Sequence, residues 1–225
     1  MLGKHFYLLI FQFYLMKETF QLLVKQYIAP LLKKEGFIKK NLNFYCKSQT
    51  LTYVINLQNS NGNTYDKTMF YVNCGIYSSH IASVLSMEIL EFPKEYQCHY
   101  SERLENIAKG LQPKFEIIQK ELEPTFIETL MNGLSVALKT MKEIQNEITL
   151  CEFMFHQGGI NMWEVYLEYL FASNQMPLAK KMIQRIHKQF NMEDRWYIFE
   201  KIMRNIMIKQ NINLTLEQII AEQHI

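Results

Sequence analysis

Cys98 and His99 stand side by side, with Glu102 and Arg103 close behind them. A thiol, an imidazole and a carboxylate are the raw material of a nucleophile with its base, or of a metal site. Adjacency works against the pair. Neighbouring residues of a strand point to opposite faces, and those of a helix diverge by about 100°, so Cys98 and His99 act together only if the fold turns them toward one another. His80 joins His99 in a metal site only by tertiary placement, and tetrahedral zinc sites normally show closer ligand spacing. No metal and no cofactor is therefore expected. Arg103 lies among Tyr100, Leu104 and Ile107, whose spacing fits a buried side, and a guanidinium there suits a two-pronged pair with a carboxylate.

Lys33, Lys34, Lys39, Lys40 and Lys47 form a second group, able in principle to meet a phosphate backbone with Phe44 and Tyr45 as stacking groups. Arginine is absent from that stretch and Phe44 fits a buried alternation, so nucleic acid is the weaker reading. Residues 1–50 carry eight Lys against two Glu, an excess of +6 that leaves −4 for the rest of a chain of formal net charge +2. Such asymmetry fits a solvated basic face or an acidic partner.

Other chemistry is missing from the 225 residues. There is no Gly-rich phosphate loop, no Gly-x-Ser-x-Gly elbow and no His-Glu-x-x-His helix. Glu121 and Glu123 are too close to share a helical face, and Glu143 with Glu147 reads as a solvated stripe. Cys46, Cys74, Cys98 and Cys151 lie far apart without a Cys-x-x-Cys pair, which reads as free thiols in a reducing, cytoplasmic setting. With 48% hydrophobic and 20% charged residues, the composition is that of a globular chain rather than a disordered one.

The elements that must position these groups follow from periodicity. Phe20, Leu23, Val24, Tyr27, Ile28 and Leu31 fall on one helical face. Pro30 is expected to bend or tighten the last turns of that helix, and Gly36 to cap it. The period then drops to two. Strands are expected over Phe37–Lys47, Leu51–Gln58 and Met69–Tyr77, with Asn59-Ser60-Asn61-Gly62-Asn63 as the turn before the third. His80–Phe92 allows a short helix, and Glu95–Ala108 a strand, a helix or one passing into the other. Beyond Gly110 the sequence reads as helix almost to the end. Pro177 fits a first helical turn, and Thr215 with Gln218 makes a capping box.

Phe6 to Leu15 is apolar but too short to span a bilayer, and no small-residue cleavage site follows it. Met16 is read as a start, with residues 1–15 an extension outside the fold and no membrane association. The expected organisation is α+β. Residues 16–110 hold an N-terminal helix packed on a small antiparallel sheet, and residues 111–225 form a C-terminal helical bundle packed on them as one unit.

The run from Phe20 through Leu23-Val24 and Ile28-Ala29-Pro30-Leu31-Leu32-Lys33-Lys34-Glu35-Gly36-Phe37 resembles a known bacterial family, domain of unknown function 4304. The likeness continues in Asn43-Phe44-Tyr45, Val54-Ile55-Asn56-Leu57-Gln58, Tyr71-Val72-Asn73-Cys74-Gly75-Ile76-Tyr77, Cys98-His99 and Arg103-Leu104. It spans about Met16 to Ile186 and weakens after Leu111. The resemblance implies a bacterial, intracellular α+β protein and brings no catalytic residues with it.

Two functions from different classes are compatible with these residues. One is a non-enzymatic protein-binding module, immunity-like in masking another protein, with the lysine group and Arg103 as its binding residues. The other is a cryptic hydrolase or metal-dependent enzyme using Cys98, His99, Glu102 or His80, brought together by folding.

Overall fold

The computed structural model describes residues 16–119, 121–156 and 162–222. The reading of residues 1–15 as an extension lies outside the described residues. The chain forms two compact units, one made by residues up to Ser79 with Leu90–Asn146, the other by His80–Ile89 with residues from Glu147 onward.

In the first unit, helix α1 covers residues 16–23 and buries Met16, Phe20 and Leu23 along one face. It opens into a π-helical turn, Val24–Ile28, in which the Ala29 amide donates to the Val24 carbonyl five residues back. Pro30 accounts for the widening. It has no N–H for the carbonyl four residues earlier, and its ring crowds that carbonyl. The turn is thus widened ahead of Pro30 rather than tightened after it. Helix α2 (Ala29–Lys34) then ends at Gly36, whose φ of +90° lets the Gly36 and Phe37 amides reach the Lys33 and Leu32 carbonyls.

Six strands form one antiparallel sheet: β1 (Ile38–Lys40), β2 (Asn43–Ser48), β3 (Leu51–Asn59), β4 (Thr68–Ser78), β5 (Tyr100–Arg103) and β6 (Phe115–Ile117). The order is β1-β2-β3-β4-β5. The long β4 pairs with β3 on one side and shares its other edge between β6, at Thr68–Phe70, and β5, at Asn73–Ile76. The segment expected as one strand over Phe37–Lys47 is two, because Asn41 adopts φ +57° and turns the chain back on itself. β6 interrupts the stretch expected to be helical beyond Gly110. A strand of three residues is too short to display a period, and only pairing with β4 reveals it.

One face of the sheet carries Phe44, Ile55, Phe70, Val72, Cys74 and Ile76, all essentially without solvent contact. The first helix and α5 (Pro124–Glu143) cover it. The Phe20 ring stands 5.0 Å from Phe70, Phe115 stacks at 5.4 Å on Phe70, and Phe126 of α5 lies 6.2 Å from Phe115. Tyr53 donates its hydroxyl to the Ile144 carbonyl just past α5, at 2.8 Å. On the opposite face, the segment after Leu90 covers only part of the sheet. Phe92 meets Tyr45 edge-on at 5.2 Å, and the Tyr77 hydroxyl accepts the Leu90 amide at 3.0 Å. This segment continues through a 3-10 turn, Glu95–Gln97, into β5 and the short helix α4 (Leu104–Ile107), so Glu95–Ala108 is a strand passing into a helix.

Helix α3 (Ser79–Val84) follows β4. The second unit adds α6 (Glu147–His156), α7 (Trp163–Ala172), α8 (Met176–Phe190), α9 (Trp196–Lys209) and α10 (Leu216–Ala221). Pro177 occupies the first turn of α8, and Thr215 exchanges hydrogen bonds with Gln218 in a capping box at α10. Phe190 and Phe199 stack at 4.8 Å, with Trp163 5.6 Å from Phe199, forming the aromatic centre of this unit. The protein is α+β, with an antiparallel sheet, an N-terminal helix and C-terminal helices. Among the described residues, no helix is long and apolar enough to cross a membrane.

Candidate functional site

Cys98 and His99 end the covering segment, and each is held by local structure. Cys98 is 2% exposed and its thiol donates to the Lys94 carbonyl at 3.5 Å. Burial, with a smaller contribution from Glu95, pushes the thiol far above its ordinary range, so the thiolate is disfavoured. The side chain lies on Gly75 of β4, where no larger residue fits beneath it. His99 is 3% exposed and its Nδ1 accepts the Ser78 amide at 3.0 Å, which leaves the ring proton on Nε2. Its ring lies 5.2 Å from Tyr77. Glu102 takes a third direction. Its Oε1 accepts the Arg103 amide at 2.9 Å and the Asn106 side-chain amide at 2.6 Å, satisfying donors at the start of α4. Among the described residues, no group of three or more His, Cys, Asp or Glu converges so as to hold a metal ion.

The part of the same sheet face lying beyond the covering segment is polar. Register aligns Lys40 with Asn43, Asn43 with Asn56, Asn56 with Asn73, and Asn73 with Arg103, so one rung crosses β1 to β5. At the usual strand spacing this row is roughly 19 Å long. Asn73 donates to Asn56 at 2.9 Å and to Gln58 at 3.0 Å, and Asn56 donates to Asn43 at 2.7 Å. The three amides thus run in one direction and fix one another's rotamers.

A cation stands at each end of this row. The Arg103 guanidinium lies 4.1 Å over the Tyr71 ring, partly buried, and meets no carboxylate among the described residues. The two-pronged pair expected for Arg103 is replaced by a stack, because Tyr71 shares the face with Asn73 while Glu102, one residue away, points to the other face. Lys40 sits 3.0 Å over Phe92.

The remaining lysines do not make one patch. Lys47 shares the Phe92 ring at 5.2 Å and pairs with Glu91 at 3.8 Å. Lys39 points to the opposite face from Lys40, as strand alternation requires. Lys33 and Lys34 close α2, where positive charge complements the helix C-terminus.

Asn43, Asn56, Gln58, Tyr71 and Asn73 do not stand out as site residues in the sequence. Their signal was present as polar side chains at every second position of strands whose alternate positions are apolar. It was ambiguous because an outward strand face is normally polar.

An antiparallel sheet with helices over one face, and a hydrogen-bonded amide row ending in a guanidinium stacked on Tyr71 on the other, defines an α+β protein that offers polar sheet surface. The chain belongs to the family described as "Domain of unknown function (DUF4304)", whose model matches residues 28–143, more than half of the chain. That span holds all six strands, Arg103 and the asparagine row. No curated protein and no solved structure matches the chain.

Proposed function

We propose that this protein is a non-enzymatic protein-binding module, immunity-like in masking another protein inside a bacterial cell, and that its polar sheet face is the binding surface. The observation that carries the reading is Arg103. Arginine and tyrosine, with tryptophan, are enriched among the residues that anchor interfaces, and here a guanidinium is held on a Tyr71 ring with its donors unspent on any carboxylate among the described residues. A partner carboxylate would supply the two-pronged pair that the fold does not, while the rigid amides beside it set register. Cys98 and His99 support the same reading, since the thiol is buried and neutral and the Nδ1 lone pair is spent on Ser78.

Capture from a lysate of the producing cells tests this, with wild type and Arg103→Ala as parallel baits. Wild type is expected to retain a stoichiometric protein, and Arg103→Ala to bind it at least tenfold more weakly, the scale of an anchoring residue. Recovery of no stoichiometric partner, or equal capture by both baits, rejects the proposal.

A further inference from the structure

The first unit contains a cleft of about 770 Å³ at the opposite edge of the sheet from Arg103, within the size range of small-molecule sites. One wall is the first helix, through Lys17, Phe20, Gln21, Val24, Lys25 and Ala29. The other is made by the β1–β2 turn and the β3–β4 connection, through Asn41, Leu42, Asn59, Asn63 and Thr68, with Lys39. Phe20 and Val24 give it a buried apolar floor. Lys17 and Lys25 are two turns apart along the helix and Lys39 faces them from β1. Among the described residues, no acidic side chain lines the cleft and none of the three ammonium groups has a carboxylate partner.

The π-helical turn adds a second observation. It begins at Val24, in the cleft wall, and its wider ring shifts the residues that follow it, Ala29 among them, relative to the face that carries Lys17, Gln21 and Lys25. Such single-turn π segments are frequent at functional sites. An apolar floor under three unpaired cations selects for a molecule with an apolar body and an anionic head.

We infer that this cleft binds a small anionic amphiphile, its alkyl or aromatic body against Phe20, Val24 and Leu42 and its carboxylate or phosphate head among Lys17, Lys25 and Lys39. The head and body are read together, so neither charge nor chain length alone suffices. This binding is separate from the sheet-face interaction and does not require Arg103.

The test is calorimetric titration of the full chain with laurate and with dodecyl phosphate, below their aggregation concentrations, beside dodecanol, dodecyltrimethylammonium and vesicles of anionic phospholipid. Saturable binding of the two anions at one site is expected, weakened at least tenfold by K17Q/K25Q/K39Q and also by Gln21→Trp, which fills the cleft from an exposed helical position. Both variants are expected to keep the wild-type melting temperature, and Arg103→Ala to bind the anions as wild type does. Binding of dodecanol or the cation as strong as that of laurate would overturn the inference. So would indifference to both sets of substitutions, the absence of saturable binding, or association with vesicles alone, which would make the lysines a lipid-surface contact.

Discussion

Gly75 of β4 lies directly beneath Cys98: a Cβ at residue 75 would stand 2.7 Å from the Cys98 Sγ and 3.1 Å from its Cβ. The missing side chain is what lets the covering segment close onto the sheet between Val54 and Ser101. Gly75→Ala is expected to lower stability by about 1–3 kcal/mol through overpacking, measured by denaturant unfolding. In a Cys98→Ala background the cost should shrink, since the Sγ is gone. An unchanged cost would place the strain elsewhere.

The Nδ1 lone pair of His99 holds the Ser78 amide at the end of β4. Replacing His99 by Ala removes the Nδ1 acceptor of the buried Ser78 amide, at a cost of about 1–3 kcal/mol. His99→Asn keeps an acceptor near the Nδ1 position and should recover part of it. If His99 were catalytic instead, both variants would lose activity equally while keeping wild-type melting temperatures.

Thiol reactivity should follow burial. Cys74 and Cys151 are buried and their pKa values are pushed up to about 12 from an ordinary 9.0, by burial first and by nearby glutamates second. Cys98 is held at least as firmly, and Cys46 alone is partly exposed. Iodoacetamide at mildly alkaline pH should therefore modify the native protein at Cys46 only, and all four thiols after unfolding, as read by intact mass. The linkage has a definite sign. Because the folded values lie above the unfolded ones, this contribution to stability is complete below about pH 9 and is lost as pH rises toward 12. Melting temperatures across that window should fall, and Cys74→Ala or Cys151→Ala should flatten the decline.

The asparagine row separates stability from binding. Asn56 both donates and accepts within it, so Asn56→Ala strands a donor on Asn73 and an acceptor on Asn43 and should cost about 1–2 kcal/mol. Arg103→Lys keeps a cation near Tyr71 but loses the planar fork. It should leave the melting temperature within about 1 °C of wild type, the scale of a surface change, while weakening partner capture nearly as much as Arg103→Ala.

What the sequence determined by itself was everything set by near neighbours. The apolar spacing of Phe20 and Leu23, the change of period after Gly36, the first-turn Pro177 and the Thr215–Gln218 box each specify an element through atoms a few residues apart, and each stands where expected. The α+β class and the family motifs follow from the same local signals. Tertiary structure decided what depends on long-range pairing. β6 exists because the edge of β4 offers it a partner, and Phe115 carries no local sign of this. Likewise, the segment expected as one strand is two because β1 folds back at Asn41 to pair with β2. The site was decided the same way. Lys40, Asn43, Asn56, Asn73 and Arg103 span more than sixty positions of chain and become one row only when sheet register brings them side by side. Conversely, Cys98 and His99, adjacent in sequence, are sent to separate partners, because backbone geometry places neighbouring side chains in different surroundings and the Lys94 carbonyl and Ser78 amide claim each in turn.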